Sequence, residues 1–178
     1  GNTSVKINDT EMLIKASGYL LANITSSSGF SVVNYKKLLA YIYETAFSEE
    51  DLENELKSSV VQTSNKPSIE TGFHALLGKF VLHTHSVYAN VLTCAAEGKN
   101  IIRDLFPNAG WIDYVSPGMN LTNAIKIETR HKGNIERVIF LQNHGLIVCS
   151  NNAQEALEIH EEVNDKIREE MKLRKFTE

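Results

Sequence analysis

Long apolar runs are missing from this 178-residue sequence. No stretch approaches the ~18 residues that cross a bilayer, so neither a membrane span nor a signal peptide is expected. Cysteine is scarce. Cys94 and Cys149 stand alone in apolar runs with no CxxC partner, which disfavours a disulfide framework or a thiolate metal centre. Two buried free thiols in a reducing cytoplasm are the expectation. Positive charge is not in excess: 18 Lys and Arg stand against 22 Asp and Glu, for a net charge of −4. With no basic cluster interleaved with aromatics, a nucleic-acid partner is excluded. The basic residues between 166 and 175 alternate with glutamates, as on a solvated helix. Internal repeats and low-complexity linkers are absent too. What remains is an ordinary globular balance, 42% hydrophobic and 22% charged. One domain over residues 1–178, large enough to bury a core, is expected.

Periodicity divides the chain into short elements. Residues 4–7 and 12–15 alternate like strands around a turn, as in a hairpin. Ser17-Gly18 is a turn, and residues 26–29 form a loop. Leu38, Leu39, Ile42 and Ala46 make a helical stripe within residues 35–47. Ser48 with the acids behind it starts another helix. Residues 60–66 are expected to be a loop, and Pro67-Ser68 to open a helix reaching about Lys79. A strand over 80–83 follows, then a helix capped by Ser86 and running to about Ala96. Further helices are expected over 99–106, 121–130 and 151–172, and strands over 111–115, 137–142 and 145–149. Strands interleaved with helices imply an α/β fold, a sheet covered by helices.

His83 and His85 are the most informative residues. A His-x-His pair at the end of an apolar run puts both imidazoles on one strand face, supplying two of the three ligands a catalytic zinc site usually takes. His144, in a turn between apolar runs, is the third candidate. Glu70 lies just upstream as a possible base. Each has a plainer reading. The paired histidines could be hydrogen-bonded at a strand end, and Glu70 could be an acid favoured in a first helical turn. His74, His131 and His160 sit at helical positions and are taken as structural or solvent-facing. Asn2, Ser17 and Gly18 could be turn residues or, through backbone amides, an anion nest. Lys15, or Lys6, could add charge to such a nest, though Lys15 could equally be an edge-strand lysine.

Five segments in order carry a family resemblance: residues 1–6, Ile14-Lys15-Ala16-Ser17-Gly18, Pro67-Ser68-Ile69-Glu70, His83-Thr84-His85 and Asn143-His144-Gly145-Leu146-Ile147. The chain resembles the class II aldolase/adducin family, that of fuculose- and rhamnulose-phosphate aldolases. The wording is most similar to the branch found alone or fused to a dehydrogenase, for which 178 residues leave no room. The resemblance implies a three-layer α/β/α fold with a largely antiparallel central sheet. It also implies a homotetramer with active sites at subunit interfaces. It makes His83, His85 and His144 the ligands of Zn²⁺ or another divalent metal, Glu70 the acid/base, and Asn2, Ser17, Gly18 and Ser68 the cradle of a substrate phosphate. Three departures stand out. The family has a helix ahead of Gly1-Asn2, Ile69 replaces a serine of the phosphate loop, and the partner-borne proton-donor tyrosine is not placed, Tyr114 and Tyr88 being candidates.

The function so implied is zinc-dependent cleavage of a small ketose phosphate to dihydroxyacetone phosphate and an aldehyde. A decarboxylase of a phosphorylated 3-oxo acid and a sugar-phosphate 4-epimerase are the related alternatives. The family's epimerases carry aspartate where this chain has Glu70. A non-enzymatic adducin-like module fits poorly, because such modules have lost the three metal ligands.

Overall fold

The computed structural model describes residues 1–44, 49–62, 65–132 and 137–175. The strands are β1 (Asn2–Lys6), β2 (Glu11–Lys15), β3 (Phe30–Asn34), β4 (Val60–Gln62), β5 (Phe80–Thr84), β6 (Gly110–Ile112), β7 (Val138–Leu141) and β8 (Gly145–Ser150). The helices are α1 (Tyr35–Glu44), α2 (Glu49–Ser59), α3 (Thr71–Leu76), α4 (Val87–Thr93), α5 (Gly98–Leu105), α6 (Met119–Lys132) and α7 (Ala153–Glu170). All strands join one sheet in the order β4-β3-β2-β1-β5-β8-β7-β6. Every pairing is antiparallel except β6 with β7, where α6 supplies the crossover that a parallel pair needs. This is the expected α/β/α arrangement on a mostly antiparallel sheet.

Burial explains the layers. In β1, β2 and β3 buried and half-buried residues largely alternate, so one face is covered. That face, with Met12, Ile14, Val33, Val81 and Ile147, packs against Leu38, Ile42, Phe73, Leu121 and Ile125 from α1, α3 and α6. On the opposite face α4, α5 and α7 bring Leu92, Ile102, Val163 and Ile167 onto Phe140, Leu146 and Val148 of β7 and β8. All six residues of β8 are therefore buried, because it is covered on both sides. Val5, Leu13 and Val32 on the open side of β1, β2 and β3 stay half-buried.

The hairpin, α1, β5, β7, β8 and α7 match the sequence expectations to within a few residues. So does the Ser86 cap, whose Oγ accepts from Ala89 N at 3.2 Å. Three expectations need correction, and one strand, β3, had none. Residues 60–66 begin with the edge strand β4, too short for a period to show, and β3 was hidden by running straight into α1. The helix expected over 67–79 shrinks to the six residues of α3. Pro67 instead bridges to Ala16, and the Thr71 amide turns back to Ser68 O at 3.1 Å. Cys149 is buried as expected, but Cys94 is exposed. Residues 45–48, where α1 was expected to end and α2 to begin, lie outside the described residues.

Phe73 in α3 is wholly buried and packs edge-on to the His83 ring, centroids 5.6 Å apart. Phe73→Ala is expected to lower stability by ~3–5 kcal/mol. The urea midpoint should fall at unchanged slope. A loss under ~1 kcal/mol would mean that α3 collapses to fill the space.

Candidate active site

β5 lies between β1 and β8, with Asn2 opposite His83 on one side and Ile147 opposite it on the other. Two glycines let these backbones close in. A Cβ on Gly1 would overlap the His83 carbonyl oxygen, and one on Gly145 the Thr84 carbonyl oxygen. His83 is on β5 and His85 just beyond its end, so both leave on the same face. His144 ends the β7–β8 turn, where Asn143 takes φ = 54°, a left-handed conformation that Asn tolerates better than most side chains.

The three rings converge. Centroids are 5.1 Å apart for His83 and His85, 4.8 Å for His83 and His144, and 5.0 Å for His85 and His144. One nitrogen from each lies within 4.8 Å of the others, so the group could hold a metal ion. The His83 Nδ1–H donates to Leu146 O at 3.1 Å. A carbonyl only accepts, so Nδ1 carries the proton and Nε2 keeps a bare lone pair. Burial pushes the His83 pKa down to about 2, with the neighbouring imidazoles adding to the effect. Burial lowers His85 and His144 as well. Neutral imidazoles are the ligand form.

Glu70 closes the cluster from the N-terminal end of α3, at the cap position. Its Oε1 lies 3.6 Å from His83 Nε2 and 3.4 Å from His144 Nε2. Its Oε2 accepts from Asn2 Nδ2 at 2.7 Å. Burial raises the Glu70 pKa, and the Asn2 hydrogen bond opposes that rise. Among the described residues, two buried side-chain polar atoms lack a hydrogen-bond partner: His83 Nε2 and Glu70 Oε1. Buried polar atoms are nearly always satisfied. Two orphans at the mouth of a three-imidazole cluster fit a divalent cation of the zinc type.

The residues singled out for phosphate also gather here. The Ala16–Pro67 bridge and the Ser17 N to Lys66 O bond of 2.8 Å hold the Ser17-Gly18 turn beside Ser68. Gly18 has φ = 82°, and both turn residues are exposed. Ser68 Oγ accepts from Asn2 Nδ2 at 3.0 Å and from Glu70 N at 3.2 Å, leaving its own proton to donate. Asn2 is less free, because its amide is engaged by Ser68, Glu70 and His74. Lys15 is buried and bonds Ala16 O and Tyr19 O, close enough to Glu70 to interact with it. Lys6 sits at the far end of β1, bonded to Leu77 O, and is not part of the cluster.

Other candidates fall differently. His74, expected as structural or solvent-facing, is wholly buried and hydrogen-bonded to Asn2 and Ser4. Its signal was the four-residue spacing from Glu70, which puts both on one helical face. His160 Nε2 lies 2.8 Å from Thr84 Oγ1, behind the cluster. His131 has a side chain outside the described residues. Tyr114 is 59% exposed, and Tyr88 donates to Arg174 O, so neither closes the site within this chain.

His74 and His83 have folded pKa values of about 3 and about 2, far below the ~6.5 of an unfolded histidine. Above pH ~6.5 both states are neutral and nothing is lost. Below it the unfolded chain gains protons that the folded one refuses. Metal-free stability should therefore fall by up to ~1.4 kcal/mol per pH unit for each ring, from pH ~6.5 down towards pH 3. Urea melts in chelator between pH 7.5 and 5 will show it. A flat profile would mean that these rings are solvated.

Comparison with known proteins agrees with this picture. The profile of the family described as "Class II Aldolase and Adducin N-terminal domain" matches residues 1–169. The uncharacterised oxidoreductase YuxG of Bacillus subtilis is 29% identical over 165 residues, which are 86% of this chain but 24% of that protein. A 3-oxo-tetronate 4-phosphate decarboxylase of Escherichia coli is 29% identical over 118 residues, 58% of this chain and 54% of the relative. The chain thus spans about a quarter and about half of these two relatives. Among solved structures, the N-terminal class II aldolase domain of a conserved Thermoplasma acidophilum protein superposes with TM-score 0.83 at 28% identity. It covers 96% of this chain and 83% of that one. An L-fuculose 1-phosphate aldolase shares the fold, with TM-score 0.64 at 21% identity over 94% of this chain and 72% of that one. With a profile match along nearly its whole length, the chain belongs to the class II aldolase and adducin N-terminal domain family.

Proposed function

We propose that this protein is a divalent-metal-dependent carbon–carbon lyase, an aldolase acting on a small ketose phosphate. The observation that carries the reading is the pair of orphaned buried atoms, His83 Nε2 and Glu70 Oε1, 3.6 Å apart at the three-imidazole cluster. His83, His85 and His144 would hold the ion, with zinc the best match to three neutral imidazoles. A bound ion would supply Lewis acidity that stabilises negative charge developing on substrate oxygens.

Glu70 is the proton carrier. Burial raises its pKa, which makes it a stronger base at neutral pH, and only Oε1 is free to take the proton. In the cleavage direction a substrate hydroxyl gives its proton to Glu70 Oε1 and becomes the aldehyde carbonyl as the adjacent C–C bond breaks. The electron pair stays with the other fragment, whose carbon then receives a proton from Glu70. The phosphate is held by the Gly18 amide and the hydroxyls of Ser17 and Ser68, with Lys15 adding positive potential. Asn2 serves that subsite by holding Ser68.

We further infer a homo-oligomer, with a tetramer as the expected form, from one cytoplasmic domain spanning the chain. The half-buried apolar residues Val5, Leu13 and Val32, on sheet left bare of helix, support association. Tyr114, exposed at 59%, is the candidate to reach a neighbour's site. Among the described residues no helix is long and apolar enough to cross a membrane. A second reading, decarboxylation of a phosphorylated 3-oxo acid, has its support in the E. coli decarboxylase similarity. The same residues would serve it, with carbon dioxide leaving in place of the aldehyde.

Zinc-loaded protein should release dihydroxyacetone phosphate from one or more of a panel of ketose 1-phosphates and leave the unphosphorylated ketoses untouched. Release of carbon dioxide from phosphorylated 3-oxo acids instead would favour the second reading. Glu70→Gln should bind zinc normally and lose ~10²–10⁴-fold in turnover. Near-full activity in that variant would remove Glu70 from the mechanism. Sedimentation of a clean monomer at working concentration would contradict the oligomer.

A further inference from the structure

His74 belongs to neither the metal cluster nor the phosphate turn, yet it is buried completely among apolar residues. A buried imidazole needs partners for both nitrogens. Nδ1 lies 2.8 Å from Ser4 Oγ, and Nε2 is hydrogen-bonded to Asn2 Oδ1. Ser4 and Asn2 share one face of β1 two residues apart, and His74 stands one helical turn after Glu70. The fold thus closes a chain of side chains running from Ser4 through His74 and Asn2 to Glu70.

The chemistry of these groups assigns every proton in that chain. An ionised carboxylate only accepts, so Asn2 must present its NH₂ to Glu70. One hydrogen goes to Glu70 Oε2 at 2.7 Å and the other to Ser68 Oγ at 3.0 Å. Asn2 Oδ1 is then left facing His74. It has no hydrogen of its own, so His74 Nε2 must carry one. Burial holds the ring neutral, so Nδ1 accepts from the Ser4 hydroxyl. Reversing any one member would set two acceptors face to face.

We propose that His74 is a positioning residue whose Nε2–H, through Asn2, ties back Oε2 of Glu70 and leaves Oε1 alone aimed at the three imidazoles. This rests on the reading of Glu70 as the proton carrier. Remove the His74 donor and Asn2 Oδ1 loses its buried partner, so the amide is held only from its NH₂ side, by Glu70 and Ser68. The amide can then tilt, and the carboxylate it holds turns with it. Oε1 lies 3.4 Å from His144 Nε2 and 3.6 Å from His83 Nε2, so a small rotation displaces the base from the reacting carbon.

His74→Phe keeps a flat ring against Phe73 and removes the donor. His74→Gln restores an amide N–H near the Nε2 position. Ser4→Ala is a milder change at the far end, kept in case the phenylalanine variant does not fold. In zinc-loaded wild-type protein, long-range ¹H–¹⁵N spectra should show His74 as the Nε2–H tautomer, opposite to His83. Dihydroxyacetone phosphate in D₂O is the activity probe, with Glu70 exchanging a carbon-bound proton for a deuteron. In His74→Phe the exchange kcat should drop ~10–100-fold, with KM and zinc affinity each within about threefold. His74→Gln should recover most of the loss, and Ser4→Ala should slow exchange by about two- to fivefold.

An Nδ1–H tautomer at His74 overturns the inference. So does a folded His74→Phe, or Ser4→Ala in its place, that exchanges at the wild-type rate. Failure of the functional reading looks different: wild-type protein gives no exchange, or Glu70→Gln exchanges as well as wild type. The tautomer, read without turnover, then still decides whether the relay exists.

Discussion

The Nδ1–H of His83 donates to the carbonyl of Leu146 across the β5–β8 pairing, and the orientation of the whole centre follows from that bond. It fixes the tautomer and turns the bare Nε2 towards Glu70 and His144. The bond exists only in one register. A slip of β8 by a single residue would exchange Leu146 and Val148 with Ile147 and Cys149 between the two apolar layers, and both layers are filled. The core therefore specifies the position of His83, the buried imidazole of the candidate site.

Two unsatisfied polar atoms at one place are a large charge against a fold. Each buried orphan costs roughly 1–3 kcal/mol, while domains of this kind are stable by only ~5–15 kcal/mol in all. Elsewhere the protein is careful: the Asn2 amide, the His74 ring and the Ser68 hydroxyl are all paired although buried. Among the described residues the unpartnered buried side-chain atoms are confined to His83 Nε2 and Glu70 Oε1, which makes this spot the candidate site. A cation there would relieve both atoms at once, the imidazole by accepting its lone pair and the carboxylate by offsetting its desolvation.

Much of this was legible in the sequence. The two-residue spacing of His83 and His85 on an apolar run showed one strand face, and Asn143-His144-Gly145 between apolar runs showed the turn. Both depend on local geometry, which a pattern can encode. The strands β3 and β4 were not legible, because a three-residue edge strand has no period and its partner merges into a helix. The short α3 was misjudged for a related reason. Pro67 looks like a helix start, but tertiary pairing with Ala16 holds it in an extended bridge and delays the helix to Thr71. His74 was passed over because its partners, Asn2 and Ser4, are 72 and 70 positions away in the chain. Only its four-residue spacing from Glu70 left a local trace; the distant partners left none.

Those separations also govern when the centre comes into being. β5 is flanked by the first strand of the described chain and by the last, so its two ladders join segments from opposite ends of the sequence. The β1–β2 hairpin can form early from neighbours, but His83 finds its carbonyl partner only across 63 positions. During synthesis from the ribosome, the strand that carries the paired histidines must wait with one edge unpaired until residue 150 has emerged. Loop closure of that length is slow compared with helix formation. The helices and the hairpin are thus free to fold first, and the imidazole cluster is among the last pieces assembled. Occupancy of the candidate centre by a cation would then report that β8 has closed on β5, since His144 immediately precedes β8 and is brought to His83 by that pairing.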